Sequence, residues 1–72
     1  MKQVVHHGYA IMVTAYNEKN VWRAHVIITW DGEKFEIQDE ASFTTQSKAE
    51  EHGIELGEHW VNNRLQTKQG PT

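Results

Sequence analysis

Cysteine is absent from this 72-residue chain, so neither a disulfide framework nor a thiolate zinc site can stabilise it. No apolar run approaches the roughly 20 residues that a membrane-spanning helix needs. A single proline and the lack of low-complexity segments predict an ordered chain, apart from a polar tail over residues 66–72. We therefore expect one domain over residues 1–65 in a cytoplasmic protein without a membrane segment.

Positive charge and catalytic signatures are also scarce. Seven lysines and arginines face ten acids, which gives a net charge of −3, and an acidic chain neutralises few phosphates. We therefore do not expect nucleic acid to be a partner. Both serines lie at or before the predicted helix start, where capping accounts for them, and no phosphate-cradling glycine motif occurs. We predict no catalytic residues, no cofactor and no enzyme.

The segment 44–65 is the one stretch long and periodic enough to predict a helix. At 100° per residue its apolar side chains share one face and its charged side chains the other. Thr45 is the predicted N-cap. Gly53 and Gly57 lie on the apolar face, where each costs roughly 1 kcal/mol relative to alanine. Close approach to a backbone and a binding notch are the two explanations for them.

Three segments before the helix alternate between apolar and polar residues in the manner of β-strands. The first covers residues 4–16, with Gly8 as the candidate for a bulge, and the loop 17–20 joins it to a second strand over 21–30. Asp31-Gly32 then closes a hairpin into a short third strand. The predicted fold class is α+β: a three-stranded antiparallel β-meander packed on one C-terminal α-helix.

The second predicted strand has one wholly apolar side, formed by Trp22, Ala24, Val26, Ile28 and Trp30. We expect Trp60 and Leu56 of the helix to contact this side at Trp22, Val26 and Ile28. A single helix covers only one face of a sheet, so the other face is expected to stay open.

The open face carries the candidate binding residues Met12, Tyr16, Arg23, His25 and Ile27. If the strand registers place the apolar residues of this face side by side, they form one patch: Val4, Ala10, Met12, Tyr16, Val21 and Ile27. Monomers seldom leave such a patch in water. We therefore predict a small non-enzymatic protein-interaction module. Its expected partner is itself, as a homodimer through this face or a strand edge, or another protein. The alternative is a weak single-stranded RNA-binding domain, because aromatic and basic residues interleave around the first hairpin.

Five histidines invite a metal hypothesis. His52, Glu55 and His59 share the polar side of the helix, but the two histidines lie about 10 Å apart along its axis. One ion cannot bind ligands that far apart, so we predict no metal site. His6 and His7 would point to opposite sides of a strand, and one of them is expected to be packed inside with a hydrogen bond.

After the three predicted strands, the chain carries Phe43-x-Thr45, Ala49-Glu50, Gly57 and Trp60-Val61-Asn62. These residues resemble the helix-end pattern of small bacterial β-β-β-α proteins of unknown function. That resemblance implies a fold and no activity. A more distant similarity is to antitoxin domains of the HicB type, which share a sheet followed by one helix. This second resemblance implies an antitoxin-like regulatory domain as a further alternative function.

Overall fold

A computed structural model describes the backbone of residues 2–69 and the side chains of residues 2–66. Its elements are, in chain order, β1 Lys2–His6, β2 Tyr9–Glu18, β3 Val21–Trp30, β4 Glu33–Gln38 and α1 Gln46–Gln69. The strands form one antiparallel sheet in the order β1-β2-β3-β4. The α+β class with an antiparallel sheet and one helix after it is confirmed, whereas the predicted number of three strands is wrong.

The fourth strand arises at His7 and Gly8, which separate β1 from β2. Their φ angles are 54° and 84°, and positive φ at both central residues is what a two-residue type I′ hairpin turn requires. Gly8 therefore belongs to a turn and not to a bulge. Positive φ pairs also occur at Lys19-Asn20 and Asp31-Gly32, so all three hairpins close through two residues.

The start of α1 agrees with the prediction. The Thr45 side-chain oxygen accepts a hydrogen bond from the Lys48 N–H at 3.2 Å, which confirms Thr45 as the N-cap. The helix continues to Gln69 instead of ending at Leu65. Of the tail predicted over 66–72, residues 70–72 lie outside the described part of the chain. Within that part, α1 is the one helix, and it lacks the apolar length needed to cross a bilayer.

The core lies between α1 and one face of the sheet. Its buried apolar residues are Tyr9, Ile11, Val13, Ala24, Val26, Ile28, Ala49 and Val61. A Cβ added to Gly53 would stand 2.5 Å from Val13 Cγ1, which is closer than van der Waals contact allows. The glycine therefore serves close packing of the helix on the sheet, and this space cannot hold a binding notch.

Trp60 packs near the turns that follow β1 and β3. Its ring centroid lies 4.8 Å from that of Phe35 and 6.3 Å from that of Tyr9. Trp22 lies at the opposite end of β3, where its backbone exchanges two hydrogen bonds with Phe43. The helix thus covers the predicted side of β3, but the expected contact between Trp60 and Trp22 is wrong because α1 runs along β3 and holds them at opposite ends.

His6 is the histidine that faces inward. It is half-buried beneath the helix, and its Nε2 lies at hydrogen-bond distance, 2.9 Å, from Asn62 Oδ1. His7 is exposed in the turn. The expectation that one histidine of the pair is packed and hydrogen-bonded is confirmed, and this contact fixes β1 to the flank of α1.

Candidate interaction surface

The sheet face opposite α1, here called the open face, holds all five residues predicted for binding: Met12, Tyr16, Arg23, His25 and Ile27. Met12 lies directly opposite Ile27, and Tyr16 lies directly opposite Arg23. Side chains directly opposite each other in an antiparallel pair share a face, and so do alternate residues along one strand. The five are therefore neighbours on one surface, although the two ends of this surface differ in polarity.

Four apolar side chains adjoin one another at one end of the open face. Val5 lies opposite Ala10, and in the adjacent row Met12 lies opposite Ile27. Val5 is 71% exposed and is the one exposed large apolar side chain among the described residues. We call Val5, Ala10, Met12 and Ile27 the apolar corner. It borders the edge of the sheet, since Val5 belongs to the edge strand β1.

Val4 does not belong to this surface, contrary to the predicted patch. It lies opposite the fully buried Ile11 and packs against the core under α1. The reason is the turn at His7 and Gly8, because a two-residue turn places His6 and Tyr9 on the same side. Every β1 residue therefore takes the side opposite to that predicted for a continuous strand. Val5 occupies the open face in place of Val4.

The predicted apolar patch is also interrupted. Thr14 and His25 lie opposite each other and form a polar row across the centre of the open face. Tyr16 and Val21 lie on the far side of this row from Met12. The open face therefore has an apolar corner at one end and a polar half at the other.

The Tyr16 side chain covers part of the polar half. Its hydroxyl oxygen accepts a hydrogen bond from Gln38 Nε2, and Gln38 lies on β4, two strands away from β2. The direct partners of these two residues on β3 are Arg23 and His25, so the Tyr16 side chain crosses β3 beside them. Arg23 Nε is inaccessible to solvent and has no hydrogen-bond partner among the described residues. Part of the polar half is thus already covered by the chain itself.

The full charges on the strands of the open face are paired within the chain. Arg23 Nε lies 3.7 Å from Glu18 Oε1. Lys34 Nζ lies 3.3 Å from Glu36 Oε1. These two bases and two acids cancel, so the strands of this face carry no net charge.

A second polar cluster lies beside the first half of α1. The buried Asp39 carboxylate lies 2.5 Å from His52 Nδ1 and accepts a hydrogen bond from the Ala41 N–H at 3.0 Å. The His52 ring also contacts Phe43, with 5.0 Å between ring centroids. A carboxylate that orients an imidazole occurs in catalytic triads, but within residues 2–66 His52 has no hydrogen bond to a hydroxyl group. The cluster fixes the segment between β4 and α1 to the helix.

Metal ligands do not converge in the described residues. No group of three His, Asp or Glu side chains there is arranged to hold an ion. His52 Nδ1 contacts the Asp39 carboxylate, and His59 is exposed on the outer side of the helix. The lack of a metal site stays a prediction, which a melting experiment can test.

A family model described as a domain of unknown function, DUF6566, matches residues 1–71. The chain belongs to the DUF6566 family. The resemblance to small proteins of unknown function is thereby confirmed, while this DUF6566 domain has four strands where the resemblance implied three. No curated protein and no solved structure matches the chain.

Val5 and Gln38 shape the open face of this DUF6566 domain and were not among the residues predicted for binding. Val5 could have been found from the His7-Gly8 dipeptide, because a glycine between two alternating apolar runs is also a hairpin signal. Gln38 gives no such signal, since its contact with Tyr16 depends on the register of three strands.

Proposed function

We propose that this protein is a small non-enzymatic interaction module that pairs with a second copy of itself through the open face. The observation that carries this proposal is the apolar corner, a group of apolar side chains that includes the 71% exposed Val5. Exposed apolar side chains that adjoin one another favour a partner that removes them from water.

The charge of the open face supports a second copy as the partner. In a two-fold symmetric dimer the same surface lies on both sides of the contact, so a face with net charge repels its own copy. Here Arg23 is paired with Glu18, and Lys34 is paired with Glu36. Two such faces can meet without like-charge repulsion.

The size of the face indicates how strong this pairing is. The four strands have 5, 10, 10 and 6 residues, and a rise of about 3.3 Å per residue with about 4.8 Å between strands gives a face of roughly 500 Å². A standard interface buries about 800 Å² on each partner. We therefore expect a weak dimer whose population depends on protein concentration.

The alternative function, single-stranded RNA binding or an antitoxin-like role, draws less support from the open face. A nucleic acid binds through bases that are free to contact phosphates, and it releases counterions as it does so. Arg23 and Lys34 each lie within 4.0 Å of a carboxylate. A phosphate would have to compete with these acids, so we expect weak RNA binding or none at physiological salt.

Sedimentation equilibrium from micromolar to millimolar protein tests the proposal. We expect the mean mass to rise from that of one chain towards that of two. A single-chain mass at every concentration would contradict the dimer. A parallel titration with labelled single-stranded RNA tests the alternative, and micromolar binding that is lost in Arg23→Glu would favour it.

A further inference from the structure

We infer that the apolar corner, and not the polar half of the open face, is the centre of contact with the second copy. This inference rests on the proposed function. It names which residues of the face make the contact and which surround it.

The two halves of the open face differ in what a partner can still cover. At the apolar corner, Val5 is 71% exposed, and Met12 and Ile27 beside it have no element packed over them among the described residues. In the polar half, the Tyr16 side chain already crosses β3 to reach Gln38. Docking on the apolar corner therefore removes more apolar surface from water.

Docking on the polar half also removes water from a loosely paired ion pair. The Arg23 and Glu18 side chains are 35% and 57% exposed, and Arg23 Nε lies 3.7 Å from Glu18 Oε1, beyond hydrogen-bond distance. The Lys34 and Glu36 pair beside the apolar corner is closer, at 3.3 Å, and lies on the edge strand β4 at the margin of the face. Excluding water from an imperfectly paired ion pair lowers affinity. Polar residues are better suited to the rim of an interface, where water still reaches them, and apolar residues are better suited to its centre. We therefore assign the polar half to the rim.

Pairing through a strand edge accounts for the same surface less well. The exposed edge of β4 carries Glu33, Lys34 and Glu36, and charges on an edge strand oppose pairing with another strand. An edge contact through β1 would leave Met12 and Ile27 on the open face in water. Contact between two open faces covers the β1 residue Val5 together with both of them.

Val5→Lys is the cleanest test, because a side chain that is 71% exposed contributes little to the folded monomer. Two-fold symmetry places two introduced lysines in one interface, so we expect the dissociation constant to rise by at least about tenfold. Ile27→Lys is expected to have the same effect. Val21→Lys is the matched control: Val21 is also a half-buried apolar residue of β3 on the open face, but it lies outside the apolar corner.

The three variants are compared with the native protein by sedimentation equilibrium, and circular dichroism confirms that each is folded. Loss of the dimer in Val5→Lys and Ile27→Lys, with retention in Val21→Lys, is the expected result. If Val5→Lys and folded Ile27→Lys both remain dimeric like the native protein, the apolar corner is not the centre of contact, although the proposed self-association still holds. Loss of the dimer in Val21→Lys alone would place the centre of contact in the polar half. A native protein that stays monomeric would instead overturn the proposed function itself.

Discussion

The backbone of Gly57 lies against the side chain of Ile11, so that a Cβ added to the glycine would stand 2.6 Å from Ile11 Cγ2. Gly53 has the same relationship to Val13, one helical turn earlier. Ile11 and Val13 are fully buried neighbours on β2. The two glycines therefore determine how closely α1 approaches the sheet.

Gly57→Ala is expected to destabilise the fold by about 1 to 3 kcal/mol, although alanine is the better helix former by about 1 kcal/mol. The reason is that Ile11 is fully buried and cannot move away from the added methyl group without disturbing the core. Urea unfolding measures the change. Glu55→Ala, at an exposed position of the same helix, is the control and should change stability by less than about 0.5 kcal/mol. A higher unfolding midpoint for Gly57→Ala would contradict the packing described above.

Tyr9→Phe is expected to leave stability unchanged or to raise it by up to about 1 kcal/mol. The Tyr9 hydroxyl is buried and has no hydrogen-bond partner among the described residues, so the native side chain bears an uncompensated desolvation cost. Thermal unfolding gives the comparison. Tyr16→Phe is the matched control, because it removes a hydroxyl that is hydrogen-bonded to Gln38 and should cost about 0.5 kcal/mol. If Tyr9→Phe lowered the stability more than Tyr16→Phe does, the Tyr9 hydroxyl of the native protein would have a hydrogen-bond partner.

Removing either partner of the Asp39 and His52 contact is expected to destabilise the fold. His52→Ala should cost about 1.5 to 2 kcal/mol, the lower part of the range for hydrogen bonds to charged groups, because the His52 side chain is 41% exposed. Asp39→Ala should cost at least as much, since it also removes the acceptor of the Ala41 N–H. A double-mutant cycle with urea unfolding tests the link, and His59→Ala is the exposed control. Additive effects would show that the contact does not stabilise the protein.

Zinc and EDTA are both expected to leave the melting temperature unchanged. A metal that binds the native state must stabilise it, and no three ligating side chains converge in the described residues. Differential scanning fluorimetry with stoichiometric zinc and with excess chelator provides the measurement. A rise of several degrees with zinc would show that the histidines form a site, with the second copy as one source of further ligands.

The elements with a regular pattern could be predicted from the sequence. The apolar stripe and Thr45 gave the start of α1, and the alternation over 21–30 gave the side of β3 that lies against it. The open-face residues on β2 and β3 were grouped correctly because alternation of side chains is a property of each strand by itself. The register then placed Met12 opposite Ile27.

The turn at His7 and Gly8 could not be recognised with the same certainty, because histidine is not among the residues that usually occupy the first position of a type I′ turn. The error then spread to Val4 and Val5, since a missed two-residue turn reverses the side of every residue before it. The Asp39 and His52 contact was missed for another reason. Residues 39–45 have no periodic pattern, so only the folded chain shows which side chains they bring to the helix.

The three two-residue turns also determine how this chain can fold. Each strand pairs with the next one along the chain, so hairpins can zip together from local contacts with little loss of loop-closure entropy, on a timescale of about 1 to 10 µs each. Docking of α1 is the step that joins residues distant in sequence. Because α1 follows the strands, a ribosome releases the whole sheet before the residues that cover it. Until Trp60 and Val61 emerge, the nascent sheet exposes apolar side chains on both faces, and this is when the chain is most prone to aggregate.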